Sequence, residues 1–299
     1  MCFAVTCVAA IGCGRVGFED IDGAGGRRDG ALGDTALGMF GTPAPIPGLS
    51  LPGSDDNAPD LTDDLLELYF VSDRPGGLGQ DDIWLSTRPN TAAPWGTPVV
   101  VTELSSNVNE TQPTLCCGGL VMYIASARPP AQGTDIFRAT RTSLGGVWSA
   151  PVHIPSLAST GYDVGGTATS DELEIIFDTN RGSSVREIYR ATRASTSVAW
   201  GTPQRIEELV PPMLLNETEA RLATENLLVF SSARGVVGYF DLWTSARASR
   251  ADPFGAPQNI TEVNTASEQR DPWLSADGRV IVYAHETAAG DFDLYMATR

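Results

Sequence analysis

Residues 68–88 read LYFVSDRPGGLGQDDIWLSTR. An alternating apolar run, Leu68 to Val71, ends in Ser72-Asp73-Arg74. A glycine-rich turn follows, and then an acid, an aliphatic and an aromatic, Asp82-Ile83-Trp84, run on to Arg88. Two short β patterns joined by a turn form a hairpin. The second half recurs as Asp135-Ile136-Phe137, Glu187-Ile188-Tyr189, Asp241-Leu242-Trp243 and Asp293-Leu294-Tyr295, at steps of 53, 52, 54 and 52 residues. Each copy runs on to an arginine: Arg141, Arg193, Arg247 and Arg299.

Two further anchors keep this period. An aromatic is followed three residues later by proline at Trp95/Pro98, Trp148/Pro151, Trp200/Pro203 and Phe254/Pro257, with one more copy upstream at Phe40/Pro43. The apolar run ending in Ser/Thr-x-Arg recurs before Arg128, Arg181 and Arg234, and in the last copy Thr287 falls near the arginine position. Each repeat therefore holds about four short strands, and no long helical period interrupts them. Four antiparallel strands repeated radially make a β-propeller. The predicted fold is all-β, with five four-stranded blades over residues 39–299. The last repeat lacks its own outer strand, so the segment Phe40–Ile46 is expected to pair beside Asp293–Thr298 and close the ring.

Composition narrows the chemistry. The chain has 299 residues, 20 basic against 37 acidic side chains, and a net charge of −17. Every basic residue is arginine, so Schiff-base lysines and phosphate-loop lysines are excluded. Only His153 and His285 are present, too few for a histidine metal cluster. The acidic balance argues against nucleic acid and anionic lipid surfaces as partners. No cofactor is implied, and Ca²⁺ on the ring carboxylates has no support beyond their charge.

Residues 1–13, MCFAVTCVAAIGC, resemble the end of a bacterial lipoprotein signal, with Cys13 as the lipidated residue. Residues 14–38 are Gly/Asp-rich and read as a disordered tether. The stretch 68–84 resembles the WD-like repeat of bacterial envelope propellers, the TolB-like repeat. That resemblance implies an exported, non-catalytic scaffold; together with the lipoprotein-type signal, the chain is expected to be a monomer of the periplasm or outer membrane. It would touch the membrane only through its lipid anchor and bind an envelope protein or a glycan. The alternatives are a lectin-like propeller with one sugar site per blade and a five-bladed glycoside hydrolase.

Candidate residues fall in sets. The acids Asp82, Asp135, Glu187, Asp241 and Asp293 are expected to pair with Arg74, Arg128, Arg181 and Arg234 across their hairpins, a structural role because it repeats. A second set, Asp56, Glu110, Asp163, Glu217 and Glu268, lies where outer strands cross to the next blade and would line an acidic mouth, with His285 the odd residue beside it. The preferred reading, over an open mouth, is that these acids satisfy loop amides. Cys116 and Cys117 sit in a turn, where a strained vicinal disulfide and two thiols without a role are both open; the thiol reading is preferred. Unpaired carboxylates converging at the mouth would favour an enzyme. Exposed aromatics in equivalent places would favour a lectin.

Overall fold

The computed structural model describes residues 38–235 and 239–299. They form five four-stranded antiparallel sheets. The first blade holds β2 (Asp56–Leu61), β3 (Glu67–Ser72), β4 (Asp82–Thr87) and β5 (Val99–Val100). The second holds β6 (Glu110–Cys116), β7 (Val121–Ser126), β8 (Asp135–Thr140) and β9 (Val152–His153). The third holds β10 (Asp163–Ala168), β11 (Glu174–Thr179), β12 (Glu187–Thr192) and β13 (Gln204–Arg205). The fourth holds β14 (Glu217–Thr224), β15 (Leu227–Ser232), β16 (Asp241–Ala246) and β17 (Gln258–Asn259). The fifth combines β18 (Gln269–Leu274), β19 (Val280–Glu286) and β20 (Phe292–Thr298) with β1 (Ala44–Pro45).

The closure is the expected one. Ala44 lies opposite Met296 and Pro45 opposite Tyr295. The amide of Gly41 donates to the Thr298 carbonyl at 2.9 Å, and that of Ile46 to the Leu294 carbonyl at 2.8 Å. The N-terminal segment thus covers a strand edge that would otherwise be open to pairing with another chain.

Second strands such as β3, β7 and β11 are buried along their whole length. They are packed on both faces by neighbouring blades, which is why they read as near-continuous apolar runs. Tyr69 and Ile83 of the first blade share one core with Met122, Phe137 and Trp148 of the second. The fourth strands are two residues long, so little edge is exposed.

The repeated arginine and the repeated aromatic explain each other. Arg88 stacks on Trp95 at 4.3 Å, Arg141 on Trp148 at 4.6 Å, Arg193 on Trp200 at 4.0 Å, Arg247 on Phe254 at 4.6 Å and Arg299 on Phe40 at 4.3 Å. In each case Nε donates to a carbonyl in the turn between the first two strands of the blade: Leu65, Gly119, Glu172, Glu225 and Gly278. One side chain thereby ties the third strand, the outer segment and the inner turn together. Cys116 and Cys117 form a disulfide in the turn after β6, correcting the preference for free thiols. Cys13, the signal-like residues 1–13 and nearly all of the tether lie outside the described residues.

Candidate functional site

The hairpin loops between second and third strands open on one face, together with the crossings from each outer strand to the next blade. On this face the arginines of the Ser/Thr-x-Arg motif do find carboxylates, but not those of their own hairpin. Arg74 pairs with Asp56 at 2.5 Å, Arg128 with Glu110 at 3.0 Å, Arg181 with Asp163 at 2.6 Å and Arg234 with Glu217 at 2.5 Å. The reason is reach. Each Nε is fixed on the hydroxyl two residues back, on Ser72, Ser126, Thr179 or Ser232, which turns the fork toward the first strand of the blade.

The hairpin acids are used locally. Asp82 accepts the amides of Leu78 and Gly79, Asp135 meets His153 at 2.8 Å, Glu187 meets Arg205 at 3.0 Å, and Asp241 accepts from Asn259. Asp293 lies opposite His285 in the sheet.

The second set of acids is therefore not a free mouth. Asp56, Glu110, Asp163 and Glu217 are buried, and the first three also accept the amides of Leu51, Ser106 and Ser159. Burial pushes Glu217 up to about 7 despite Arg234. In the fifth blade the equivalent residue is Gln269, not Glu268, because pairing places Gln269 opposite His285 as Asp56 is opposite Ser72. The Gln269 amide nitrogen lies 3.1 Å from His285 Nδ1, and Thr287, two residues after His285 as Arg74 is after Ser72, takes the place of the arginine. All three members of the motif are replaced there by a set that needs no charge. Burial lowers the His285 pKa, so the ring favours its neutral form. Glu268 instead pairs with Arg270 at 2.7 Å.

The informative residues lie one step deeper. Each first strand carries a bulge, and Ala58, Gln112, Gly165, Glu219 and Asp271 all have positive φ, from 48° to 72°. These five positions face the axis with one backbone and five different side chains. A Cβ on Gly165 would lie 3.0 Å from Asp178 Oδ1, so the glycine leaves room for that carboxylate. Asp178 stands on β11 where the other blades carry Val71, Ala125, Ser231 and Ala284. Its Oδ1 accepts the Glu219 amide at 2.8 Å, and the Asp271 amide donates to Glu219 Oε2 at 3.0 Å. Gln112 donates to Asp271 and accepts from Arg221 at 3.2 Å. Arg221 also lies 3.6 Å from Asp60.

Arg186 sits over this cluster, 3.1 Å from Asp178 Oδ2 and 3.6 Å from Glu219 Oε1. Burial raises Asp178 to about 6, against the pull of Arg186. Burial, joined by the neighbouring charge of Glu219, raises Asp271 to about 7. Both values are near those of groups that hold or release a proton at neutral pH.

Above Arg186 opens a groove of about 480 Å³ lined by Asp81, Tyr162, Arg186 and the amide side chains Asn109, Asn180 and Asn216. A second hollow of about 730 Å³ continues from Tyr162 over Asn109 and Gly133. Tyr162 is 57% exposed. Asp81 is raised by burial and by its neighbours Asp73, Asp55, Asp82 and Glu110. The other side of the mouth is filled by Phe240 and Phe292 with Arg270 stacked on both. The groove is therefore a single site on one side of the axis, not five equivalent ones. Among the described residues, no group of three or more His, Cys, Asp and Glu is placed to hold a metal ion.

Asp178, Arg186, Glu219, Asp271 and Tyr162 were not among the candidates drawn from the repeat, because they depart from it. A register comparison would have found them. Asp178 is the one charge in a column of small or apolar residues. Arg186 shares a column with Asp81, Thr134, Phe240 and Phe292.

No protein-family model matches the sequence, and no curated protein matches it in sequence. Solved structures do match in shape. An α-L-arabinofuranosidase of Podospora anserina, in complex with cellotriose, superposes with a TM-score of 0.59 at 11% identity over 87% of this chain and 96% of that one. A thermostable family-43 glycoside hydrolase superposes with a TM-score of 0.59 at 12% identity over 85% of this chain and 91% of that one. The putative TolB of Agrobacterium tumefaciens reaches only 0.48, at 15% identity over 78% of this chain and 70% of that one, which supports no argument. These findings correct the TolB-like envelope resemblance. They also remove the inference from it to a non-catalytic scaffold, because the propellers that superpose better are glycoside hydrolases.

Proposed function

We propose that the chain is a carbohydrate-active propeller that holds an oligosaccharide in the mouth groove and cleaves a glycosidic bond with the carboxylates beneath Arg186. One observation carries the reading: the residues that break the fivefold repeat converge on one place. Chemistry needs one constellation, whereas a scaffold or a one-site-per-blade lectin would repeat. Tyr162 offers an exposed ring for a sugar face, and Asn109, Asn180, Asn216 and Asp81 offer donors and acceptors for hydroxyls. Asp178, raised to about 6, is suited to give a proton to a leaving oxygen, with Glu219 as the second carboxylate of the pair. Arg186 must leave both for substrate to reach them. The superposed glycoside hydrolases support this reading at the level of the fold.

A second reading, oligosaccharide binding without hydrolysis, is favoured by the way Arg186 occupies Asp178 and Glu219 in the ligand-free arrangement. The test is release of p-nitrophenol from α-L-arabinofuranoside and β-D-xyloside substrates, together with titration of cellotriose and xylotriose. Turnover that falls at least about a hundredfold in Asp178→Asn and Glu219→Gln, with oligosaccharide binding retained, supports hydrolysis. Binding weakened about tenfold by Tyr162→Ala, without any turnover, supports the second reading. Neither turnover nor binding refutes both.

A further inference from the structure

The side chain of every other described arginine makes a hydrogen bond, an ion pair or a ring contact; that of Arg190, whose backbone pairs in the sheet, makes none. Its position explains why. Arg190 on β12 is the counterpart of Arg138 on β8, since they lie three residues after Glu187 and Asp135. Arg138 reaches across the seam to the next blade, where its Nε and Nη2 bind Glu172 Oε1 and Oε2 at 2.7 and 2.8 Å. The counterpart of Glu172 one blade on is Glu225, since both give their backbone carbonyl to the repeated arginine, Arg193 or Arg247. But Glu225 Oε1 is already held by Arg250 Nη2 at 2.5 Å. Arg190 thus keeps the seam position and has lost its carboxylate to Arg250.

What faces Arg190 instead is a pocket of about 740 Å³ on the seam between the third and fourth blades, on the face opposite the mouth groove. Its wall includes Arg190, Arg250, Thr192, Thr202, Gln204 and Glu174. The acids nearby are all engaged. Glu174 is clamped by both Nη atoms of Arg247 at 2.9 and 2.5 Å, and Asp171 meets Arg250 at 2.8 Å. Three guanidinium groups balance three carboxylates, so the wall does not repel an anion, and the unspent group is the Arg190 fork.

We infer that this seam pocket binds a small oxyanion-bearing ligand of sugar size, a carboxylate or a phosphate ester, with Arg190 as its anchor. The guanidinium fork matches either oxyanion in two parallel hydrogen bonds. The hydroxyls of Thr192 and Thr202 and the amide of Gln204 supply polar partners for the rest of the molecule. The volume falls within the range of small-molecule sites. The site is separate from the mouth groove and does not depend on the function proposed for it.

The experiment is calorimetric titration of the whole chain with D-glucuronate, D-glucose 6-phosphate and neutral D-glucose, repeated on Arg190→Gln and Arg190→Lys. Arg279→Gln removes the same charge at an exposed site distant from the pocket. The expected result is binding of at least one anion, with glucose at least tenfold weaker and affinity at least tenfold lower in Arg190→Gln. Arg190→Lys should fall between, and Arg279→Gln should match the wild type. Preference for glucuronate identifies a carboxylate ligand, and preference for the sugar phosphate identifies a phosphate ester. Since the Arg190 side chain makes no bond, its loss should leave the melting temperature unchanged, so a binding defect cannot be blamed on unfolding. Glucose binding as tightly as both anions, no anion binding at millimolar concentration, or equal loss in Arg279→Gln would overturn the inference.

Discussion

On the face away from the mouth, five arginines do the same work five times. Arg88, Arg141, Arg193, Arg247 and Arg299 each stack on an aromatic and donate to a turn carbonyl. Around the axis, Ala58, Gln112, Gly165, Glu219 and Asp271 share a left-handed bulge but differ in side chain. These contacts hold each blade's own third strand, outer segment and inner turn together, so one solution suits every copy. The axis is a single place reached from five directions, so each blade can contribute something different. In a repeated fold, the common backbone position with uncommon side chains is where chemistry can be added without cost to the repeat.

The sharpest way to break this contrast is at a seam. Arg247 is fully buried with Glu174, and Arg247→Ala would strand that carboxylate. We expect a loss of about 3–5 kcal/mol in denaturant unfolding, with much of it recovered by adding Glu174→Gln. A loss below about 1 kcal/mol would mean that the latch is decoration.

The next effect belongs to the mouth-face pairs. Arg74→Ala leaves Asp56 buried and should cost about 2–4 kcal/mol. Thr287→Ala, at the uncharged counterpart in the fifth blade, should cost about 1 kcal/mol or less. Equal losses would show that the charge in the other four blades has no special role.

The axis should answer to pH. Burial, with Glu219 beside it, holds Asp271 at about 7, above its ordinary value of 3.8. A carboxyl held more basic in the fold than in the unfolded chain contributes stability that is complete below about pH 4. That contribution is lost as pH rises through about 7. Asp271→Asn cannot titrate, and asparagine tolerates the positive φ. Its stability relative to the wild type should therefore improve by about 1–3 kcal/mol between pH 4 and pH 8. A constant difference across that range would remove Asp271 from the titrating cluster.

The smallest stability effect is expected at Tyr162, which is exposed: Tyr162→Ala should change stability by about 0.5 kcal/mol or less. Oligosaccharide affinity should nevertheless fall about tenfold, measured by titration.

The same contrast explains what could be read from the sequence. Blade number, hairpins and ring closure follow from residues that recur at 52–55-residue steps, so five weak signals reinforce one another. The partners of Arg74 and its counterparts were harder to read. Choosing between Asp82 and Asp56 depends on which way a side chain turns from its hydroxyl anchor. The spacing picks Glu268 where the register selects Gln269, and one residue along a strand moves a side chain to the opposite face. Asp178, Arg186 and Asp271 carry no repeat signal because their value lies in being unlike their counterparts. They become visible only when the five copies are aligned and the odd residue in each column is sought. The disulfide between Cys116 and Cys117 depends on a local turn geometry that adjacent cysteines alone do not specify.

The closing strand also sets a schedule. Ser50 Oγ receives the amide of Leu294 at 3.0 Å across 244 residues of chain, and the Gly41 and Ile46 amides find their partners at similar separations. A ribosome adding roughly 5–20 residues per second needs on the order of ten to fifty seconds to make the intervening chain. For that interval β1 has been made and its partner has not. Blades can stack in order as they emerge, but the ring cannot close. Until β20 arrives, the molecule is an open arc whose growing end is an unsatisfied sheet edge.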